Sequence, residues 1–501
     1  MSWKQYKEEF TKRRPTESHY IIGIDVGAES SSLAFYNTLR DEPEVIDLSG
    51  GYGRSSSPSV IQYVPESEWV YGEYALLNNG DGREVTVPVL DKLGGKEYIS
   101  AGGRIYSANK LLGQYIKELL RHVRNINPRA EIAGIVCSVG AYVSQEVRDE
   151  LTKAFAQAGQ AGMLITLADD RDCVLARVLP DVAPAMKVMI MDYAGRELRA
   201  GIYSIKQSRT HKNTLEAETE AYLFDESLGM AEMDIALAGY FDKRLRGQDY
   251  QPARLKSFLY QHKNMLLQKS NWQKPLKMYP NFIYPPVQIS IGHKDMQGLI
   301  APFRERFLGF MSKLAGKGEL PQVYCVGGGF EMQWVKEEIT ALFKDKAVFF
   351  KNPKSVAAEG AAKIAAKLLG VSSMWTINVI DKHQLKHDIG VVAKTGATER
   401  FIPIIYRGAF WWQKVKHVRF ILAEQSSSHT TMELFTRDDD GRVARLTDIS
   451  LNLPTRPKYA TCLELSLSFS DSSTLNANVI DLGLGEIYPR SGFSKTFKVG
   501  I

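Results

Sequence analysis

Long apolar runs are missing from this 501-residue sequence. A helix that spans a membrane needs about 18 or more consecutive apolar residues, and the sequence contains no run of that length. The first twenty or so residues are charged where a secretory peptide carries an apolar stretch. The sequence therefore predicts no membrane span and a cytoplasmic protein.

Cysteine is also scarce. Its four cysteines are far apart and form no CxxC pair, so the sequence indicates neither a disulfide framework nor a zinc knuckle. The nine histidines show no metal-ligand spacing. We therefore expect reduced thiols and no structural metal held by Cys or His.

A strong excess of one charge is absent as well. The chain has 63 basic and 57 acidic residues, and part of the basic surplus lies in the N-terminal arm, residues 1–19. This arm is typical of a solvated tail, with contact to an anionic partner as the alternative. No basic stretch is interleaved with aromatic residues in the manner of single-strand binders, so we predict no nucleic-acid partner.

The residues that are present predict two kinds of structure. Up to about residue 370, short apolar runs alternate with amphipathic helices, which is typical of an α/β fold. Residues 108–123 place Leu112, Ile116, Leu119 and Val123 on one helical face, and residues 132–139 follow as a buried strand. This first part is long enough to form a domain of its own.

After residue 370 the apolar period changes from the helical spacing to two. Apolar side chains alternate with polar ones over residues 463–469 and again over 475–479. Similar short segments at 401–406, 418–424 and 431–437 are separated by turn-forming residues. The pattern predicts an antiparallel β domain, with the domain boundary near 370–390.

Three glycine-containing loops, each after an apolar strand, carry the chemistry. Asp25 precedes Gly27, Asp192 precedes Gly195, and residues 327–329 are three glycines. Two acidic strand ends that face each other can hold the water shell of Mg²⁺, and glycines let backbone N–H groups approach phosphate. A single glycine after a strand is usually only a turn, so the order of the loops in the chain carries the argument.

That order resembles the DnaK-type, seventy-kilodalton heat-shock chaperones of the actin-like ATPase superfamily. The resemblance covers roughly residues 20–485. It rests on GIDVGAESSSLAFY (23–36), MDYAGRELRAGIY (191–203), CVGGGFEMQWVKEEI (325–339), KNPKSVAAEGAAKIAA (351–366) and the strands of 447–483. The diglycine loop followed by NP and GAA is the most specific of these signals.

The resemblance implies the domain organisation. It predicts a two-lobed α/β actin-like ATPase domain with ribonuclease H-like cores over residues 20–372. A linker at 373–387 and an antiparallel, peptide-binding-like β-sandwich at 388–501 follow. Sugar kinases and actins share the ATPase core but lack this β domain, which argues against a filament-forming actin-like protein. The chain ends about where the helical lid of these chaperones begins, so we expect a lidless form.

The resemblance also implies ligands and partners. It implies ATP or ADP with Mg²⁺, a peptide or protein client, and partners similar to co-chaperones. The metal would be held through Asp25 and Asp192. The nucleotide-binding positions are Gly27, Ala28, Gly195, Lys263, Gly327, Gly328 and Gly329, and the catalytic ones are Asp25, Asp192, Asp169, Lys92 and Glu197.

The departures from the family pattern fall on the catalytic chemistry. Ala28 and Glu29 stand where the family has threonines, and Glu197 replaces its catalytic threonine. Arg199 occupies the place of an aspartate of the second loop. Hydrolysis needs groups that position water and stabilise charge on the transferred phosphoryl group, so we expect ATP hydrolysis to be slow. The alternative is a non-hydrolysing pseudo-ATPase scaffold that mediates protein interactions.

Overall fold

The computed structural model describes most of the chain in separate stretches. They are residues 19–49, 51, 53–65, 68–77, 85–88, 90–93, 98–128, 131–140, 145–160, 164–179, 186–268, 274–314, 321–380, 385, 387–395, 398–407, 416–423, 428–438, 441–471 and 474–501. The predicted N-terminal arm falls, except for His19, outside the described residues. The chain divides into two units between Ile380 and Asp381.

One large sheet of the first unit comes from its N-terminal half. Its order is β11-β10-β1-β2-β3, with β4 paired to β2. Strand β1 is antiparallel to β2 and parallel to β10, and β10 is parallel to β11. The strands are β1 (His19–Val26), β2 (Ser30–Asn37), β3 (Glu42–Val45), β4 (Ser56–Pro58), β10 (Glu131–Val139) and β11 (Leu164–Asp169).

The other large sheet follows in the chain. Its order is β18-β17-β12-β13-β14-β19. The strands β12, β13 and β14 form an antiparallel meander, and β17 and β18 add parallel strands beside β12. The strands are β12 (Lys187–Tyr193), β13 (Leu198–Gln207), β14 (Thr214–Asp225), β17 (Gln322–Val326), β18 (Ala347–Phe349) and β19 (Thr376–Ile380).

The two large sheets have the same internal order. In each, three antiparallel strands are followed by two parallel strands on the side of the first strand. Strand β1 therefore corresponds to β12, and the turn after β1 corresponds to the turn after β12. The edge strand β19 is additional, and it lies within the segment 373–387 that was predicted as a linker.

Helices and smaller sheets complete the first unit. Three further strands pair as β6-β5-β7, and β8-β9 and β15-β16 are hairpins. These strands are β5 (Val60–Val64), β6 (Glu68–Tyr71), β7 (Val85–Pro88), β8 (Tyr98–Ala101), β9 (Arg104–Ser107), β15 (Leu276–Met278) and β16 (Ile289–Ile291). The helices are α1 (Gly72–Leu77), α2 (Ala108–Ile126), α3 (Gln145–Phe155), α4 (Asp170–Val178), α5 (Met230–Arg244), α6 (Pro252–Gln268), α7 (His293–Leu314), α8 (Gln333–Phe343) and α9 (Val356–Leu368).

The predicted amphipathic helix is confirmed as α2. Leu112, Ile116, Leu119 and Val123 are all buried and belong to one apolar cluster with strands of the first sheet. The predicted buried strand at 132–139 is confirmed as part of β10. Within the described residues, no helix is long and apolar enough to cross a membrane.

Helix α9 explains the run of small residues in its sequence. It packs on β1 and on α4 at distances that leave no room for side chains. A Cβ added to Gly360 would lie 1.6 Å from the carbonyl oxygen of Cys173, and one added to Gly23 would lie 2.0 Å from that of Ala358. The fully buried alanines of α9 are Ala358, Ala361, Ala362, Ala365 and Ala366. The close approach holds β1, which carries Asp25, firmly against α9.

The second unit consists of β-structure in the residues that the structure describes. Its two antiparallel sheets have the orders β21-β20-β23-β24 and β22-β25-β26-β27. The predicted alternation is confirmed, because Leu463, Leu465, Leu467, Ala477 and Val479 are fully buried. One apolar cluster contains side chains from both sheets. The strands are β20 (Asp388–Thr395), β21 (Thr398–Ile405), β22 (Lys416–Ile421), β23 (His429–Arg437), β24 (Val443–Asn452), β25 (Cys462–Asp471), β26 (Thr474–Asp481) and β27 (Ser494–Gly500).

Candidate functional site

A cleft of about 1160 Å³ opens in the first unit. This volume is somewhat larger than the usual range of small-molecule and cofactor sites, roughly 300–1,000 Å³. Its walls come from the ends of β1 and β12, the turns that follow them, the loop after β17, and helices α5 and α6. The residues predicted for the site that line it are Asp25, Gly27, Ala28, Asp192, Gly195, Glu197, Lys263, Gly327 and Gly328.

The two acidic strand ends meet in this cleft. Asp25 and Asp192 stand at the second-to-last positions of β1 and β12, the corresponding strands of the two large sheets. Burial raises the pKa of Asp25 to about 7, with further contributions from the charges of Asp170 and Asp192. The hydroxyl of Ser138 and the guanidinium of Arg199 act in the opposite direction. Asp25 is thus within electrostatic reach of two other carboxylates.

The turns after these two strands also face each other. A Cβ added to Gly195 would lie 2.2 Å from the Cγ of Glu29, so the Glu29 side chain lies directly over the Gly195 backbone. Only glycine fits at position 195 unless Glu29 moves. The structure therefore brings the first and second predicted phosphate loops into contact.

Arg199 lies at the centre of the acidic end of the cleft. Its Nη1 is 2.5 Å from Oδ2 of Asp170, and its Nη2 forms an ion pair with Oδ2 of Asp192. Its Nε approaches Oε1 of Glu197 at 3.5 Å. One guanidinium thus contacts three carboxylates that come from α4, from β12 and from the turn between β12 and β13.

The strand register explains how Arg199 reaches Asp192. The two residues are direct partners in the antiparallel pair β12–β13, so their side chains lie on the same face of the sheet. Burial alone would lower the pKa of Arg199, but the charges of Asp170 and Asp192 raise it well above its ordinary value. Burial also raises the pKa of Asp192, against the effect of Arg199. The guanidinium is therefore permanently charged and held in place.

The third glycine loop closes the cleft beside Asp192. Gly327 has φ of +90°, and its N–H donates to the carbonyl of Pro353 at 2.8 Å. A Cβ there would lie 2.6 Å from Oδ1 of Asp192. The side chain of Lys354 passes over Gly328 and pairs with Glu331 at 3.0 Å. This loop thus needs glycine both for its conformation and for its distance from the second strand end.

Helices α5 and α6 supply the remaining wall. Lys263 of α6 lies in the cleft and its Nζ is 2.7 Å from Oδ2 of Asp234 on α5. Apolar side chains accompany this pair, which gives the cleft an apolar part beside its charged end. These side chains are Met230, Ile235, Leu237, Leu255, Leu259, Leu267 and Met332.

Three predicted site residues are placed elsewhere. Asp169 does not line the cleft and instead pairs with Arg148 of α3 at 2.5 Å. Lys92 is outside the lining, although its neighbour Leu90 belongs to it. Gly329 is buried, and a Cβ there would lie 2.2 Å from Cγ of Tyr193, so this glycine serves packing. Lys92 and Asp169, both predicted to be catalytic, are thus not among the residues that line the cleft.

Sequence reasoning missed Asp170 as a site residue. It follows Asp169 in the run DDRD, and α4 begins with it. The acidic run was a usable signal, but only the packing of α4 shows that the second aspartate faces Arg199. Arg199 itself was seen only as a departure from the family pattern.

The Mg²⁺ implied by the resemblance does not fit these residues. Mg²⁺ needs carboxylate oxygens for its water shell, yet Oδ2 of both Asp170 and Asp192 faces the Arg199 guanidinium. In the described stretches of the chain, no group of three or more His, Cys, Asp or Glu side chains is arranged to hold a metal ion. The role predicted for Asp25 and Asp192 as metal ligands stays a prediction, and Arg199 weighs against it.

Comparisons with known protein families match two parts of the chain. Residues 42–251 match the C-terminal part of a family of unknown function, DUF5716. Residues 384–501 match a domain of unknown function, DUF8552, which covers nearly all of the second unit. Neither match assigns an activity.

Curated relatives extend over more of the chain. A protein named chaperone protein DnaK from Cenarchaeum symbiosum is 20% identical over 92% of this chain and 71% of the relative. A chaperone protein HscA homolog from Methylibium petroleiphilum is 24% identical over 80% of this chain and 67% of the relative. Another HscA homolog, from Haemophilus influenzae, is 22% identical over 80% of this chain. The chain is thus distantly similar, over most of its length, to proteins named DnaK and HscA.

Proposed function

We propose that the chain is a DnaK-like chaperone or chaperone-like protein whose cleft binds a nucleotide and hydrolyses ATP weakly. The observation that carries the proposal is the convergence of three glycine loops on one cleft, with Gly27, Gly195 and Gly327 all in its lining. Backbone N–H groups at such loops bind phosphate. The apolar side chains of α5 and α6 provide a surface for the nucleoside.

The sheet topology supports an actin-like architecture with two lobes. Each large sheet has three antiparallel strands followed by two parallel ones, which is the repetition expected of two ribonuclease H-like cores. The cleft receives Asp25 from one sheet and Asp192 from the other. We therefore propose that the nucleotide lies between two lobes built on these sheets.

Weak hydrolysis follows from the groups that face the cleft. A hydrolase needs a cation near the transferred phosphoryl group and a group that positions water. Lys92 and Asp169 do not line the cleft, and Glu197 brings a carboxylate to the place of the family's threonine. A carboxylate at this position repels phosphate oxygens, and its contact with Arg199 offsets only part of that repulsion.

The second unit is proposed to bind extended segments of a client. Its two antiparallel sheets share one apolar cluster, which supports a β-sandwich. Extended peptides are recognised by β-structure through main-chain hydrogen bonds and pockets for alternate side chains. The curated relatives named chaperones support the same proposal. Co-chaperone-like partners and coupling between nucleotide and client are further parts of it.

A pseudo-ATPase scaffold is the second candidate. The observation that favours it is the Arg199 cluster, because a guanidinium occupies carboxylates that a metal-dependent hydrolase would use. In such a scaffold, the nucleotide only stabilises the conformation that binds a protein partner. The two candidates differ in turnover alone.

Nucleotide binding and turnover are measured on the full chain. We expect ADP and ATP to bind in a calorimetric titration, and single-turnover ATP hydrolysis to stay far below about 1 per second, the lower end of ordinary enzymes. The variant Asp192→Asn alters the acidic end of the cleft. Lys187→Gln is the matched control, because Lys187 starts the same strand but pairs with Glu220 outside the cleft.

The outcomes separate the candidates. Slow turnover that Asp192→Asn abolishes and Lys187→Gln preserves supports the chaperone ATPase. Binding without any turnover supports the scaffold. Absence of nucleotide binding in the full chain overturns the proposal.

A further inference from the structure

We propose that Arg199 takes the place of a divalent cation in the cleft, so that this protein binds its nucleotide without metal. The inference rests on the proposed function, since it concerns the ligand of the same cleft. The inference goes beyond the proposed function because it names a metal-free nucleotide as the bound species. The residues that carry it are Arg199, Asp170 and Asp192.

The position of the guanidinium is the first step. Arg199 bridges two carboxylates, one on α4 and one on β12, whose charges both affect Asp25 near the end of β1. A divalent cation at this point would be held by the same oxygens. Because the guanidinium already contacts them, a cation would have to displace it or share these oxygens with it.

The anchoring of the guanidinium is the second step. The side chain of Arg199 is 13% exposed, and both Asp170 and Asp192 are also mostly buried. Removing one partner of a buried ion pair leaves an uncompensated charge. Displacement by a metal ion would therefore leave a buried cation without its carboxylates, which makes the exchange unfavourable.

The charge of the cleft is the third step. Acidic side chains outnumber basic ones in its lining, and Glu29 and Glu197 lie on the two phosphate loops. A bound phosphate needs a positive charge near these groups. Arg199 provides a fixed one, and guanidinium matches phosphate geometry well. The guanidinium has five N–H groups; Nη1 and Nη2 each donate one hydrogen bond, to Asp170 and Asp192, while Nε lies 3.5 Å from Glu197 without a hydrogen bond.

The test is a calorimetric titration of the full chain with ADP, once with excess EDTA and once with excess Mg²⁺. We expect the two dissociation constants to agree within about threefold. If Mg²⁺ tightens binding by tenfold or more, the inference is overturned while nucleotide binding, and with it the proposed function, stands. If ADP binds in neither condition, the proposed function fails and the inference fails with it.

A variant tests the residue itself. We expect Arg199→Gln to weaken ADP binding in EDTA by tenfold or more. Arg177→Gln is the matched control, because Arg177 also pairs with a buried carboxylate, Glu359, at 2.7 Å but does not line the cleft. Unchanged binding in a folded Arg199→Gln protein would overturn the inference.

A second measurement does not depend on the folding of a variant. Mn²⁺ is titrated into the unmodified protein saturated with ADP, and bound Mn²⁺ is followed by electron paramagnetic resonance. We expect Mn²⁺ to bind no more tightly than it does to ADP alone in solution. Binding at least tenfold tighter than to free ADP would show a metal site in the cleft and overturn the inference.

Discussion

Each unit contains a cluster of arginine and carboxylate side chains, and the two clusters differ in the number of carboxylates per arginine. In the second unit, Arg456 forms a two-pronged pair with Asp481, with distances of 2.8 and 2.9 Å. Asp481 also accepts hydrogen bonds from the backbone N–H groups of Gly483 and Ser491. Both side chains are buried, and each charge has a partner of opposite sign.

In the first unit, one guanidinium is shared among several carboxylates. Arg199 contacts Asp170, Asp192 and Glu197, and Asp25 lies close enough to be affected by the charges of Asp170 and Asp192. The pKa values differ accordingly. Burial acts to raise the pKa of Asp481, but Arg456 and the backbone N–H groups lower it to about 2, whereas that of Asp25 is raised to about 7.

The comparison separates a structural cluster from a functional one. A carboxylate whose ionised form is fully paired stabilises the fold, and its pKa is lowered. A carboxylate held beside others in a cleft destabilises the fold, and such sites are typically kept for binding or catalysis. The cleft of the first unit is of this functional kind, because its carboxylates are held beside one another.

The largest expected effect is on the structural pair. Arg456→Met leaves Asp481 buried without its cation, and we expect a loss of about 3–5 kcal/mol in the free energy of unfolding. Hydrogen exchange of the amides in β25 and β26 measures it within the full chain. The control is Arg419→Gln, whose pair with Glu464 is 2.7 Å long but whose arginine is 69% exposed.

The control is expected to cost less than about 1 kcal/mol, because exposed ion pairs contribute little. A loss below about 1 kcal/mol for Arg456→Met as well would show that the buried pair is not a structural element. The contrast between a structural cluster and a functional cluster would then no longer hold.

The next largest effect is the loss of folding stability when Asp481 is protonated in acid. Its folded pKa of about 2 lies below its ordinary value of 3.8, so its stabilisation is present above about pH 4 and is lost as the pH falls toward 2. The difference corresponds to about 2 kcal/mol. We expect the penalty of Asp481→Asn, measured by urea unfolding, to shrink by this amount between pH 6 and pH 2.

A constant penalty across that pH range would contradict the lowered pKa. Since the same two proteins are compared at each pH, other titrating groups cancel to a first approximation. The measurement therefore reports on Asp481 itself.

The smallest expected effect is a gain, not a loss, in the free energy of unfolding, and it concerns Asp25 in the cleft. With a folded pKa near 7, Asp25 binds its proton more tightly in the folded than in the unfolded chain, so its ionisation costs stability as the pH rises from 4 to 7. We expect Asp25→Asn to raise the free energy of unfolding at pH 8 by about 1–2 kcal/mol, less than the full shift implies because Asp25 is partly exposed.

The gain should disappear near pH 4, where Asp25 is protonated in the folded chain. Thermal unfolding at both pH values is the measurement. A loss of stability at pH 8 would show that Asp25 is well compensated in the fold, and the contrast with Asp481 would have to be withdrawn.

Much of the fold could be predicted from local patterns. The alternation around Leu463 and Leu467 defines a strand with one buried face, and the three- and four-residue spacing of apolar residues over 108–123 defines α2. The glycines of the three loops could be found because each follows an apolar strand. The small residues around Gly360 were recognised as a motif, and the structure gives their reason, a helix in direct contact with the backbone of α4.

Other features could not be predicted because they depend on distant packing. The family resemblance favours Asp169 over Asp170, but the start of α4 directs Asp170 toward Arg199 and leaves Asp169 with Arg148. The role of Gly329 in packing against Tyr193 has no local signal. The pairing of residues 376–380 with β14 is likewise a long-range contact.

The positions at which an aspartate and a glycine flank a strand end can be found from the chain alone, because apolar period and turn residues are local properties. Which of these strand ends share a cleft, and which cation lies between them, depends on the tertiary structure. The reason is that charge compensation depends on distances between side chains from β12, β13 and α4. These distances are set by strand register and helix packing, which one stretch of sequence does not contain.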